Sequence, residues 1–186
     1  MNKIKFLFVL LGMCMIIPNM SAQSNDTIQM KEGLLIDGGD FLKKWEFKTE
    51  DKKARDIYNS KISSTIEVAQ KNGGEFLFLA YIEFEGDRLG FYLDEKDIDD
   101  ILSGLSKLNS QLEADMNTPI RIKNTYKSIS GVIIYYNVKK AKFSWYITHK
   151  RSYAPTFRLR DDFNLVEFFN DLKTRIAEAK KQLGQQ

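Results

Sequence analysis

Two stretches of the chain share one pattern, and any fold for this sequence must find room for both. "GFYLDEKDIDDILSGL" at 90–105 and "TFRLRDDFNLVEFFNDL" at 156–172 each run from a short alternating segment through polar residues into an amphipathic helix pattern. The alternating segments mark strands with one apolar face. Ile98, Ile101, Leu102, Leu105, Leu108 and Leu112 in the first helix fall at the 3-and-4 spacing that gathers them on one stripe, as do Leu165, Phe168, Phe169, Leu172, Ile176 and Leu183 in the second. One-sided strands and a one-sided helix bury their apolar faces only against each other.

The correspondence extends upstream. "EFLFLAYIEF" sets Phe76, Phe78, Ala80, Ile82 and Phe84 on one face, and "AKFSWYITH" does the same with Phe143, Trp145 and Ile147. Phe78, Ile82, Phe91 and Leu93 fall on Phe143, Ile147, Phe157 and Leu159 at offsets of 65 or 66. At the helix starts, Asp97 is expected to cap the first helix with Asp100 three residues on, and Asn164 the second with Glu167 three residues on. "KISSTIEVAQ", "TPIRIKNTYKSIS" and "VIIYYNV" read as further strands. The expected fold is therefore α+β: one domain, an antiparallel sheet of about six to eight strands, and two long helices packed on one face. An internal duplication, with repeats at about 61–115 and 118–183, accounts best for the matching registers. The element order resembles duplicated helix-on-sheet folds of the TATA-binding-protein type, in order alone and with no shared motif. Residues 31–60 hold no sustained period, and a short helix from Asp40 to about Phe47 is the expectation there.

The first residues, "MNKIKFLFVLLGMCMIIPNMSAQS", place Lys3 and Lys5 before an apolar run of about a dozen residues, then small residues at Ser21 and Ala22. That order is a secretory signal peptide, 1–22, cleaved near Ala22; a membrane span takes about 20 apolar residues. Lipidation at Cys14 is the alternative, with Met13 where a small residue is usual. The chain is expected to be exported, periplasmic or secreted, with no transmembrane segment in the mature part, 23–186. Cys14 is the single cysteine, so the mature chain has no disulfide, thiolate metal site or cysteine nucleophile. A chain of this length buries enough core without them.

Catalytic signatures are absent: no GxSxG, HExxH, P-loop or dinucleotide glycine fingerprint occurs, and no enzyme activity or cofactor is expected. His149, the one histidine, shares the register of Phe143, Trp145 and Ile147 and is expected to face the core. The acidic run "DEKDIDD" lacks the glycine and closing glutamate of a calcium loop, and reads as helix capping. Glu83 and Glu85 share a strand face that solvation explains. The enzyme reading would gain from a deep pocket gathering Glu83, Tyr81 and His149, which is not expected.

Charge is the remaining signal. Residues 23–116 hold 12 Lys/Arg and 20 Asp/Glu, net −8, whereas 117–186 hold 14 and 5, net +9. No acid occurs between Asp115 and Asp161, a span containing Arg121, Lys123, Lys127, Lys139, Lys140, Lys142, Lys150, Arg151, Arg158 and Arg160. Alternation points Lys142, Tyr146, Lys150, Arg158 and Arg160 away from the helices. A basic sheet face bearing tyrosine fits an anionic glycan or other envelope component, through charge and ring stacking. The alternative is a protein partner or self-association that pairs the acidic and basic halves. Nucleic acid is not expected of an exported chain with an acidic first half. Leu77 and Leu79 also point outward, where residues 31–60 or a partner chain would cover them.

Overall fold

A computed structural model describes residues 29–37, 40–49, 61–71, 73–84, 89–150 and 156–185. The expected signal segment, Cys14 and Glu85 lie outside this set. The chain is α+β. β1 (Gln29–Asp37), β2 (Asp40–Thr49), β3 (Ile62–Gln70), β4 (Phe76–Phe84) and β5 (Leu89–Leu93) form one antiparallel meander, followed by α1 (Glu95–Met116). β6 (Ile122–Lys127), β7 (Val132–Lys139), β8 (Lys142–His149) and the two-residue β9 (Phe157–Arg158) form a second, followed by α2 (Leu165–Gln182).

Three expectations are corrected. The helix from Asp40 to about Phe47 is instead β2, paired with β1 and β3. Trp45 and Phe47 are buried and Glu46 between them is not, which is the two-residue period of a strand laid beside Val68 and Ile66. The strands also divide into two sheets of five and four rather than forming one. β9 is too short to extend a ladder toward the edge strand β5, so rings close the seam: Phe84 lies 4.1 Å from Phe157, and Phe91 5.7 Å from His149. Third, α1 is capped by Asp94, whose carboxylate accepts from Asp97 N–H while Asp97 accepts from Asp94 N–H. The box therefore sits three residues earlier than the sequence reading placed it. Asn164 caps α2 as expected, accepting from Val166 and Glu167. The helix starts then do not correspond: Leu93 runs straight into its cap, whereas Arg160–Phe163 intervene after Leu159.

The strand registers do correspond. Ile82 pairs with Phe91 and Tyr81 with Tyr92; Ile147 pairs with Phe157 and Tyr146 with Arg158. The seam obeys the same offsets, since His149 stands 65 residues after Phe84 and Phe157 stands 66 after Phe91. Each of the two ring contacts is thus the other's counterpart.

The helices cross over. α1 packs on β6 and β7, α2 on β3 and β4, and the two pack on each other. One continuous buried cluster joins both sheets and both helices. Tyr126 on β6 lies against Gly104 of α1, where an added Cβ would stand 2.3 Å from its ring, and its hydroxyl donates to Asp100 at 2.6 Å. Burial first, and then that hydrogen bond to a carboxylate, push the Tyr126 phenol up to about 12 from its ordinary 10.0. A raised phenol favours the folded state while neutral. Stability should therefore fall as pH climbs from about 10 to about 12, and Tyr126→Phe should flatten that part of a urea-denaturation pH profile. An unchanged profile would show that the ionisation is not linked to folding.

The β7–β8 connection is a two-residue turn in which Lys140 (φ 53°) and Ala141 (φ 56°) both occupy the left-handed region. Neither residue type suits it, and the conformation costs about 1–2 kcal/mol per residue. Asn-Gly is the sequence such a turn favours. Lys140→Asn with Ala141→Gly is expected to raise stability by about 1 kcal/mol or more, read as a higher urea midpoint at constant slope.

Candidate functional site

Inward residues of the second sheet, Val132, Ile134, Tyr136, Val138, Ile147 and Phe157, are buried, so their neighbours form the outer face. Cross-strand pairing arranges that face in rows. Thr125, Tyr135, Tyr146 and Arg158 follow one another across β6, β7, β8 and β9, and Lys123, Asn137 and Ser144 form the next row. The Tyr135 and Tyr146 rings lie parallel, 4.7 Å apart and 5° from coplanar, and Lys123 Nζ sits 4.0 Å from the Tyr135 ring centre on the β6 side. Both faces of Tyr135 are thereby covered. Burial, and then the neighbouring Tyr146 phenol, raise the Tyr135 pKa, while a hydrogen bond with Thr156 works the other way.

Of the five residues singled out from the sequence, Tyr146 and Arg158 are direct cross-strand partners. Lys142 and Lys150 are exposed and lie four residues to either side of Tyr146, roughly 13 Å away each way along the strand. The stem of Lys150 crosses Gly131, whose φ of 96° and lack of a Cβ admit it. Arg160 differs from the rest. Its guanidinium grips both oxygens of Asp162, at 3.0 and 3.1 Å, so its charge is already balanced. Sequence reasoning missed Tyr135 and Asn137 and did not place Lys123 at the site; the outward parity of "VIIYYNVK" and "IKNTYK" carried the signal, but only strand pairing shows that these residues meet.

Among the described residues, no carboxylate lies within ion-pair distance of Lys123, Lys127, Lys139, Lys142, Lys150 or Arg158. The acids at the start of α1 are engaged elsewhere. Asp94 and Asp97 cap, Asp100 accepts from Tyr126 and from Ile129 N–H, Asp99 pairs with Lys173, and Glu95 pairs with Lys180.

On the first sheet, Tyr81 and Tyr92 pack as a tilted pair, 4.7 Å between ring centres and 37° between planes, on the outer face that also carries exposed Glu83 and Leu77. Burial, then Glu83 and Glu67, raise the Tyr81 pKa. β2 lies beside β3 in the sheet, and no described part of 31–60 covers Leu77, which is 43% exposed. His149 faces the opposite side, buried against Phe91 with Nε2 3.3 Å from Ser130 O. Tyr81 and Glu83 therefore do not share a pocket with it. No cluster of three metal-ligating side chains occurs among the described residues, and no described helix is long and apolar enough to cross a membrane. The chain matches no protein-family model, no curated protein and no solved structure.

Proposed function

We propose that this is an exported, non-enzymatic protein whose second sheet binds a polyanionic ligand of the cell envelope or its surroundings, such as an acidic glycan, on its outer face. The observation that carries this reading is the set of cations without carboxylate partners, Lys123, Lys127, Lys139, Lys142, Lys150 and Arg158, spread around the Tyr135–Tyr146 pair. Attraction to a polyanion comes from the summed field of such a face. Ring stacking, by contrast, finds no open face on Tyr135, both sides of which are taken. Secretion rests on the N-terminal sequence. We also read the two meanders as descendants of one duplicated unit, supported by the 65- and 66-residue offsets that relate both the strand registers and the seam contacts.

Immobilised heparin provides the test. The protein should be retained above about 0.15 M salt, where exposed charges are screened beyond about 8 Å, and Lys123→Glu with Arg158→Glu should abolish retention while the fold persists by circular dichroism. Retention that ignores these substitutions, or a wild-type chain that never binds, would sink the reading.

A further inference from the structure

One end of the second sheet sets an exposed aliphatic side chain among exposed cations. Ile122 pairs with Val138 and Lys139 with Lys142, so the chain entering β6 arrives beside the Lys140–Ala141 turn. Arg121, Lys139, Lys140 and Lys142 are exposed there, and Ile120 is 65% exposed. Among the described residues, none of these four cations lies within ion-pair distance of a carboxylate. Asp115, the nearest acid along the chain, accepts from Tyr136 and Asn124 instead. The turn itself breaks a local rule. Lys140 and Ala141 hold a left-handed backbone that Asn-Gly adopts at lower cost, and strain of this kind gathers at sites of contact and switching. Here it holds an ammonium at the tip of the hairpin.

Charge alone would suit any polyanion. Ile120 narrows the choice, because a hydrated, charged polymer gives an aliphatic side chain little apolar volume to enter. The surface of a lipid bilayer offers both environments at neighbouring depths: phosphates for the cations and, just beneath, the acyl boundary for the isoleucine. We infer that this end of the second sheet docks on an anionic lipid bilayer, with Arg121, Lys139, Lys140 and Lys142 among the phosphates and Ile120 below them. The inference goes beyond the polyanion reading. It shares Lys139 and Lys142 with the set named there, but it uses the end of the sheet and leaves the tyrosine face open.

Vesicle co-sedimentation tests it on the form without the apolar leader, residues 23–186. The protein should pellet with vesicles of phosphatidylglycerol and phosphatidylcholine in equal parts and stay in solution with phosphatidylcholine alone. Lys139→Glu with Lys140→Glu should weaken pelleting by about tenfold or more, through lost attraction at each position. Ile120→Ser, an exposed change that spares the fold, should weaken it by about tenfold. The turn variant Lys140→Asn with Ala141→Gly should also bind less, although it is the more stable protein. Ile129 supplies the control, since it is 83% exposed but follows the far end of β6; Ile129→Ser should bind as wild type does. Pelleting that follows charge but ignores Ile120→Ser, or that falls equally with Ile129→Ser, overturns the docking assignment. No pelleting with either vesicle, while heparin still retains the protein, overturns it and leaves the polyanion reading intact. Pelleting without heparin retention defeats the polyanion reading and not this one.

Discussion

A chain cut after Asn117 is expected to lose its fold altogether, with no cooperative urea transition, although it keeps five strands and a complete helix. Its inner face, with Ile66, Val68, Ala80 and Ile82 fully buried in the whole chain, is covered by α2, which the cut removes. Its own helix loses Val132, Ile134, Tyr136 and Val138, the buried face of β7 against which it packs. Each such side chain contributes about 1.5–3 kcal/mol when buried, and a whole domain nets only about 5–15 kcal/mol. Uncovering Ile66, Val68, Ala80 and Ile82 together with the buried stripe of α1, Ile98, Ile101, Leu105 and Leu108, costs about as much as the total or more. Adding the fragment 118–186 should restore native circular dichroism and a single transition, because each half supplies the helix that the other lacks. A sigmoidal transition in the isolated first fragment would show that the crossover is dispensable.

The second large effect is expected at Arg175. This α2 residue is 6% exposed, within an apolar stripe between Leu172 and Ala179. Its guanidinium donates to Ser64 Oγ at 2.7 Å, to Ser64 O at 3.2 Å and to Phe47 O at 3.3 Å, and lies 3.7 Å from an Asp171 carboxylate oxygen. It ties the second helix to β2 and β3 of the first sheet. Asp171 is largely solvated, so that ion pair contributes little. The bonds to the strand oxygens decide the outcome, since each acceptor left unmet in the interior costs about 1–3 kcal/mol. Arg175→Ala, which also opens a cavity, should cost about 3 kcal/mol or more. Arg175→Met fills the space and should recover about 1 kcal/mol of it. A urea-derived loss below about 1 kcal/mol for the alanine variant would mean that water replaces the guanidinium.

Much of the architecture was legible from periodicity. The inward residues of β3, β4, β7 and β8 and the stripes of both helices are buried or half-buried where alternation and the 3.6-residue period put them. His149 turns inward as its register required. β2 was missed because Asp, Lys and Thr dilute its alternation, and its strand character is fixed by Val68 and Ile66 opposite Trp45 and Phe47. The cap of α1 was misplaced among four aspartates, any of which can cap; the strand end at Leu93 selects Asp94. At the candidate site, Tyr146 and Arg158 were read from outward parity. Asn137 was not, since a polar residue on an outer face attracts no notice until its neighbours leave its oxygen unpaired. Arg160 looked equivalent to Arg158, and only its local geometry gave it to Asp162.

The linear chain fixed what depends on near neighbours. Which face of each strand and helix is apolar, where turns fall, and the opposite charges of the two halves all follow from residue types within a few positions of each other. The coordinates decided what depends on distant neighbours: two sheets in place of one, helices exchanged between the halves, a buried arginine on an apolar stripe, and the lysine–tyrosine–tyrosine stack. Those outcomes turn on which surfaces meet. Alternation says that a face must be covered, but several covers of equal greasiness exist in this chain, and the fit of particular side chains selects among them.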